Sequence, residues 1–167
     1  MDRLAIRPET ADDFTAIHDV TKRAFATQPH ADGDEQDLVD LLRERGELTL
    51  SLVATLPGSG VVGHIGFSPV TIDGQDRGWF QMAPVSVEPA LHHQGIGSAL
   101  IRAGVERLRG QGVSGIGVVG NPAYYERFGF SILPELAPDG SEAAFFRAMV
   151  LQGGAPRGVV RYASAFG

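Results

Sequence analysis

The stretch VEPALHHQGIGSALIRAG, Val87 to Gly104, decides how this chain folds. It joins an apolar run to an amphipathic one through a turn that holds Gly95 and Gly97. A glycine turn between a strand and a helix points backbone N–H groups at whatever lies over the helix start, where the helix dipole adds positive charge. Upstream, WFQMAPVSVEP (79–89) reads as a strand, with a bulge or break expected at Pro84 because proline removes a ladder donor. Downstream, Ile96, Ala99, Leu100, Ala103 and Leu108 make an apolar helix stripe, and GQG (110–112) ends the helix. SGIGVVG (114–120) follows as a short, wholly apolar strand of the buried kind. Strand, turn, helix and strand from Trp79 to Val119 have the length of a parallel βαβ crossover.

The segments before this unit are simpler. LAIR (4–7) is a short strand stopped by Pro8. Thr10 is a candidate N-cap for a helix reaching Phe25, with Phe14, Ile17, Thr21 and Phe25 along one face. TQPHADGD (27–34) is a loop, and Asp34, Glu35 and Asp37 open a second helix with Leu38, Leu41 and Leu42 as its stripe. LTLSLVATL (48–56), the turn PGSG (57–60) and VVGHIGFSPVTI (61–72) read as two antiparallel strands, followed by the turn DGQDRG (73–78). After the crossover, NPAYYERFGF (121–130) reads as a short helix with Asn121 as N-cap, Pro122 at its first position and Gly129 closing it. AAFFRAMVL (143–151) is a late strand, and GVVRY (158–162) is a candidate last one. The expected class is α/β (α+β), one mixed, mostly antiparallel sheet flanked by helices, in a single domain over residues 1–167.

Composition narrows the function. With 14 basic and 20 acidic residues the net charge is -6, which argues against a general nucleic-acid binder. There are no cysteines, so disulfides, thiolate metal sites and cysteine nucleophiles are excluded. The N-terminal MDRLAIRPET lacks the apolar core of a signal peptide, and no apolar run reaches the roughly 18 residues of a membrane span. The expectation is a cytoplasmic protein without membrane contact. His92 and His93 lie side by side with no further ligand spaced to join them, so no metal site is expected.

Three phosphate-binding patterns can be set against the turn. The P-loop G-x-x-x-x-G-K-[ST] is absent. The dinucleotide fingerprint G-x-G-x-x-G fails, because GIGSAL places Leu100 at the third glycine and the next strand ends without an acidic residue. HHQGIGSAL (92–100), in contrast, resembles the [Q/R]-x-x-G-x-[G/A] turn of the GNAT superfamily of acetyl-CoA-dependent N-acetyltransferases, and YYERFGF (124–130) resembles that family's Y-x-x-x-G-F run. The element order from Leu4 to Leu151 also matches, and VGHIGFSPV and VRYASAF are similar to segments of a small bacterial branch. One departure is His92, which stands where Gln or Arg is usual.

The resemblance implies a GNAT-like acyl-CoA N-acyltransferase fold, with the cofactor bound where the sheet splays near a strand bulge. The amides of His92, His93, Gln94, Gly95, Ile96, Gly97 and Ser98 would cradle the pyrophosphate of acetyl-CoA. Val85, Ser86 and Val87 would pair with the pantetheine arm like an added strand, with a main-chain N–H polarising the thioester carbonyl. Tyr125 aligns with the tyrosine that protonates the departing thiolate; its alternative is a core aromatic beside Phe128 and Phe130. Tyr124 is structural or a cofactor contact, and Asn121 is a cap or a cofactor contact. His64, Glu35 (with Asp34) and Glu88 are candidates to bind or deprotonate the acceptor, against a core histidine, helix capping and a turn residue. Gln81 and Met82 could face the acceptor, with Met82 as core filling the alternative. The implied reaction is acetyl transfer to a small-molecule or protein amine by direct attack in a ternary complex, in a monomer or homodimer. A non-catalytic acyl-CoA-binding module is the rival.

Overall fold

The structure is a computed structural model that describes residues 3–29 and 31–167. Its main sheet has six strands in the order β1-β2-β3-β5-β6-β8: β1 (Ala5–Pro8), β2 (Leu50–Leu56), β3 (Gly60–Pro69), β5 (Trp79–Val87), β6 (Gly115–Val119) and β8 (Phe146–Val150). All neighbours are antiparallel except β5 and β6. That parallel pair is joined by α3 (Ile96–Gly110), the crossover expected from the sequence. Pro8 is tolerated at the end of β1 because β1 is an edge strand.

Two helices open the chain. Before α1 (Phe14–Ala26), Thr10 and Asp13 form a capping box, with Asp13 Oδ2 accepting the Thr10 amide at 2.8 Å and Arg7 clamping the same carboxylate at 2.6 and 3.0 Å. The box closes a single 3-10 turn first, so α1 starts late. Its buried face is Ile17, Val20, Thr21 and Ala24, and Phe14 instead lies out under the Arg43 guanidinium, 3.8 Å from its ring centre. In α2 (Glu35–Glu44) the buried side chains are Gln36, Val39 and Leu42, so Leu38 and Leu41 of the expected stripe flank the contact rather than make it. Val39 sets this rotation by packing with Ile17 and Val53.

The helices divide between the two faces of the sheet. Ile96 and Leu100 of α3 close over Gly63 of β3, while on the opposite face Ser86 of β5 meets Thr21 of α1. The α3 face buries Ile101, Gly104 and Val105 beside the expected Ile96, Leu100 and Leu108. Gly104 is needed there, since a Cβ at that position would stand 2.5 Å from two atoms of the Phe67 ring.

A second sheet of three strands, order β4-β9-β7, has no counterpart in the sequence reading: β4 (Thr71–Ile72), β7 (Leu136–Pro138) and β9 (Gly158–Arg161). VVGHIGFSPVTI is thus two strands, parted after Pro69, and the first half of AAFFRAMVL is a 3-10 turn ahead of β8. This sheet packs on Trp79, Phe146 and Ala148 through Ile72, Leu136 and Val160. The last helix, α4 (Pro122–Glu126), begins at Asn121, whose side chain accepts the Ala123 amide at 3.1 Å. No helix among the described residues is long and apolar enough to cross a membrane.

Candidate active site

Strand β5 is paired unequally on its two sides. Toward β3 its ladder runs on to Val87, whereas toward β6 it stops at Gln81, opposite Gly117. Beyond that point β6 stays with β8, and among the described residues the β5 edge from Met82 to Val87 has no strand partner on that side. The bulge expected at Pro84 is present: Ile65 pairs with Val85 and Phe67 with Met82, so Ala83 and Pro84 together oppose the single Gly66. The Ala83–Pro84 peptide is cis. The sheet therefore splits at Val85, Ser86 and Val87, leaving an edge suited to an extended ligand, with the Val87 carbonyl accepting from His92.

The open edge leads into the turn. His93 and Gly95 take left-handed conformations, with φ of 65° and 86°, and Gly95 is the N-cap of α3. His92 Nε2 lies 3.0 Å from the carbonyl oxygen of Val87; an oxygen with no proton can only accept, so the imidazole donates. The residue that departs from the family pattern thus fastens the turn to β5. Ala99 is the first residue of the helix whose amide closes onto the turn, bonding the Gly95 carbonyl. The amides of His93, Gln94, Gly95, Ile96, Gly97 and Ser98 donate to no protein acceptor among the described residues. Six unspent donors at a helix start form a cradle for an anion.

Helix α4 borders this cradle. Tyr124 Oη lies 3.2 Å from where a Gly97 Cβ would be, and Val87 Cγ2 lies 3.6 Å from it, so glycine keeps the turn open between them. Tyr125 packs edge-on against Tyr124 and Phe130, and its ring lies 2.7 Å from the Cβ position of Gly120. Burial, with Tyr124 adding to it, pushes the Tyr125 hydroxyl up to about 12, so at neutral pH it carries its proton.

The three base candidates are all held by other groups. Glu88 is clamped by Arg23 of α1 through contacts of 2.7 and 3.1 Å. Glu35 accepts the amides of Asp32 and Gly33 at 2.9 and 3.1 Å, closing the loop ahead of α2. His64 is wholly buried in a chain of groups that no local pattern reveals. Arg43 holds Glu9 at 2.8 and 3.0 Å, Ser51 Oγ donates to Glu9 at 2.5 Å, and His64 Nε2 lies 2.8 Å from Ser51 Oγ. The serine has one proton and gives it to the carboxylate, so it accepts from His64, which is the Nε2–H tautomer. Burial pulls the imidazole down to about 4, so it is neutral and its unpartnered Nδ1 carries a lone pair. Burial opposes ionisation of Glu9, but Arg43 and Ser51 outweigh it and hold the carboxyl below its usual range.

Met82 is buried in the core under α3, whereas Gln81 lies on the opposite face. Among the described residues its Oε1 is buried without a partner, and so is Oγ of Ser68, which pairs with it across the strands and which the sequence did not single out. Both sit on the sheet face shared with α1 and the second sheet, and unpartnered buried polar atoms are rare enough to ask for a ligand or water.

The comparisons with known proteins agree with this geometry. The model of the acetyltransferase (GNAT) family matches residues 12–130. YhbS of Escherichia coli strain K12, named as an uncharacterized N-acetyltransferase, is 37% identical over 129 residues, 77% of this chain and 74% of that protein. A GNAT family acetyltransferase from Brucella melitensis, solved in complex with acetyl-CoA, is 39% identical, with a TM-score of 0.88 and full coverage of both chains. The YhbS crystal structure with CoA gives a TM-score of 0.90 at 33% identity, covering 98% of this chain and 92% of that one. The chain belongs to the acetyltransferase (GNAT) family, a family of enzymes that carry out N-acetyl transfer.

Proposed function

We propose that the chain, as one domain, binds acetyl-CoA along the open edge of β5 and transfers the acetyl group to a primary amine within a ternary complex. The run of six unspent amides from His93 to Ser98 is the observation that carries this reading. The pyrophosphate takes those amides, and the pantetheine arm pairs with Val85 to Val87. A free main-chain N–H at the bulge stabilises the oxyanion formed on attack. Attack forms the C–N bond and the tetrahedral oxyanion, whose collapse breaks the C–S bond; Tyr125 gives its proton to the departing sulfur, and the proton shed by the new amide nitrogen restores the tyrosine. A group held near 12 gives up a proton only to a strong base, which a nascent thiolate in a dry site is. The relatives solved with acetyl-CoA and with CoA support this choice of donor.

The acceptor approaches the face that carries Ser68 and Gln81, whose unpartnered oxygens suit an ammonium or amide N–H. With Glu88 and Glu35 engaged, and His64 wholly buried and too weakly basic at about 4, its proton leaves to solvent before attack. What the reaction then mainly needs from the protein is alignment, which alone supplies a large share of rate. The cytoplasm, where acetyl-CoA is available, is the compartment this reading assigns.

Thermal unfolding with acetyl-CoA, CoA and NAD present separately tests the donor site. A midpoint raised by acetyl-CoA and CoA but not by NAD is expected, and no rise with acetyl-CoA refutes the reading. An amine screen follows, in which Tyr125→Phe lowers turnover at saturating acetyl-CoA with little change in its affinity. A variant of undiminished speed removes Tyr125 from the reaction. Across acceptors of different basicity, the rise of kcat/KM with pH should follow each amine's own pKa. A limb that stays fixed across acceptors would restore a protein base.

A further inference from the structure

The open groove beside the end of α4 holds two arginines that the chemistry above does not use. It has a volume of about 510 Å3 and lies between α3 and the segment 127–129, lined among others by Arg102, Arg109, Arg127 and Phe128. The Arg102 guanidinium sits 5.0 Å from the Phe128 ring centre, and that of Arg127 sits 5.4 Å from it and 4.9 Å from the Tyr124 ring. Neither has a carboxylate partner among the described residues, whereas Arg109 in the same groove is 3.4 Å from Glu106, and Arg23 and Arg147 close ion pairs elsewhere. In a chain of net charge -6, two cations that line one groove and share one aromatic ring are left available. An aromatic face orients a guanidinium without neutralising it, which leaves its planar fork ready for an oxyanion.

The place of this pair is set by Tyr124, whose hydroxyl touches the Gly97 turn while its ring lies under Arg127. Arg127 thus stands one side chain away from the amide cradle, and Arg102 two, through Phe128 and Tyr124. Coenzyme A carries, besides its pyrophosphate, a phosphate monoester on the 3′-oxygen of the adenosine ribose. It lies one ribose away from the pyrophosphate and holds about -1.5 to -2 charge at neutral pH. The amide cradle is taken by the pyrophosphate, so this second anion needs charge from elsewhere.

We propose that Arg102 and Arg127 form the subsite for the 3′-phosphate of coenzyme A and make the enzyme discriminate the phosphorylated cofactor from its 3′-dephospho form. The proposal rests on the acetyl-CoA reading above. Calorimetric titration of CoA and of 3′-dephospho-CoA into the wild type, Arg102→Gln, Arg127→Gln, the double variant and Arg107→Gln tests it. Arg107 lies exposed on the last turns of α3 and serves as the control for long-range charge. The expected result is tighter binding of CoA by the wild type, a loss of about fivefold in CoA affinity for each single variant, and unchanged affinity for 3′-dephospho-CoA. The double variant should bind the two ligands alike, and the wild-type preference should shrink with added salt.

Equal wild-type affinity for the two ligands overturns the subsite. So does a loss that is the same for both ligands in the variants, which would make the arginines structural covers of Phe128. An Arg107→Gln variant that loses as much as Arg127→Gln would leave only a diffuse field. A wild type that binds neither ligand fails the acetyl-CoA reading itself, a result unlike any of these.

Discussion

Acidification should find His64 first. Its imidazole ordinarily titrates at 6.5 and is pulled to about 4 in the fold by burial, with no exposed surface to relieve it. Between those values the unfolded chain takes up a proton that the folded one refuses. Stability therefore rises with pH across this window, is fully present above 6.5, and falls as pH drops toward 4. The slope is about 1.4 kcal/mol per pH unit once below the unfolded value, so the loss reaches about 2 kcal/mol at about pH 5. Asp13 does not confuse this range. The Arg7 hydrogen bonds draw it from 3.8 to about 2, so its contribution is intact above 3.8 and is lost only below it. Urea unfolding followed by circular dichroism at about pH 7 and pH 5, on the wild type and on His64→Gln, isolates the group. The variant is less stable throughout, because it breaks the chain to Ser51 and Glu9. The informative quantity is the change with pH, which should be about 2 kcal/mol smaller in the variant. Equal changes in the two proteins would mean that His64 is reached by water or carries charge in the folded state.

Two close contacts give further tests. Gly104→Ala should destabilise by about 1–2 kcal/mol in urea midpoint, because its Cβ meets the Phe67 ring at 2.5 Å and the strain outweighs the gain in helix propensity; a stabilised variant would refute the contact. Gly97→Ala puts a methyl 3.2 Å from Tyr124 Oη at the mouth of the cradle and should weaken acetyl-CoA several-fold, whereas Gly110→Ala, with open space around it, should not; equal effects would dissociate the cradle from the cofactor.

The fold was legible wherever a signal was local. The βαβ crossover, the helix starts at Glu35 and Ile96, the Asn121 cap and the bulge at Pro84 each follow from a few neighbouring residues, and all are present. The second sheet was not legible, because β7 and β4 have three and two residues and owe their existence to β9 lying between them. Helix faces were read with partial success. Val39 in α2 and Gly104 in α3 are buried by partners far away in sequence, and no stripe of large residues marks them. The free amides at the start of α3 were legible in part: the glycine turn at Gly95 marks them, but the His92 amide expected among them is bonded to the Pro89 carbonyl at 3.3 Å. The chain from Arg43 through Glu9 and Ser51 to His64 was not, because its members come from α2, the end of β1, β2 and β3.

The run GIGVVG, read only as a buried strand, has a finer meaning in the structure. Each of its glycines faces an aromatic ring: Gly115 the ring of Trp79, Gly117 that of Phe146 at 2.6 Å from the Cβ position, and Gly120 that of Tyr125 at 2.7 Å. The first two let the Trp79 and Phe146 rings, on which the second sheet packs, lie over β6. The third fixes where the proposed acid stands. Gly120 lies outside the left-handed region, so alanine there meets no backbone strain and acts only by displacing the ring. If Tyr125 protonates the leaving thiolate, Gly120→Ala lowers turnover by moving the hydroxyl, and acetyl-CoA affinity changes little. In the Tyr125→Phe background the same substitution has no hydroxyl left to misplace, so its effect on turnover largely vanishes. A double-mutant cycle on turnover therefore shows strong coupling. Independent, multiplying losses would mean that the glycine and the tyrosine serve packing alone, and the acid would have to be sought elsewhere.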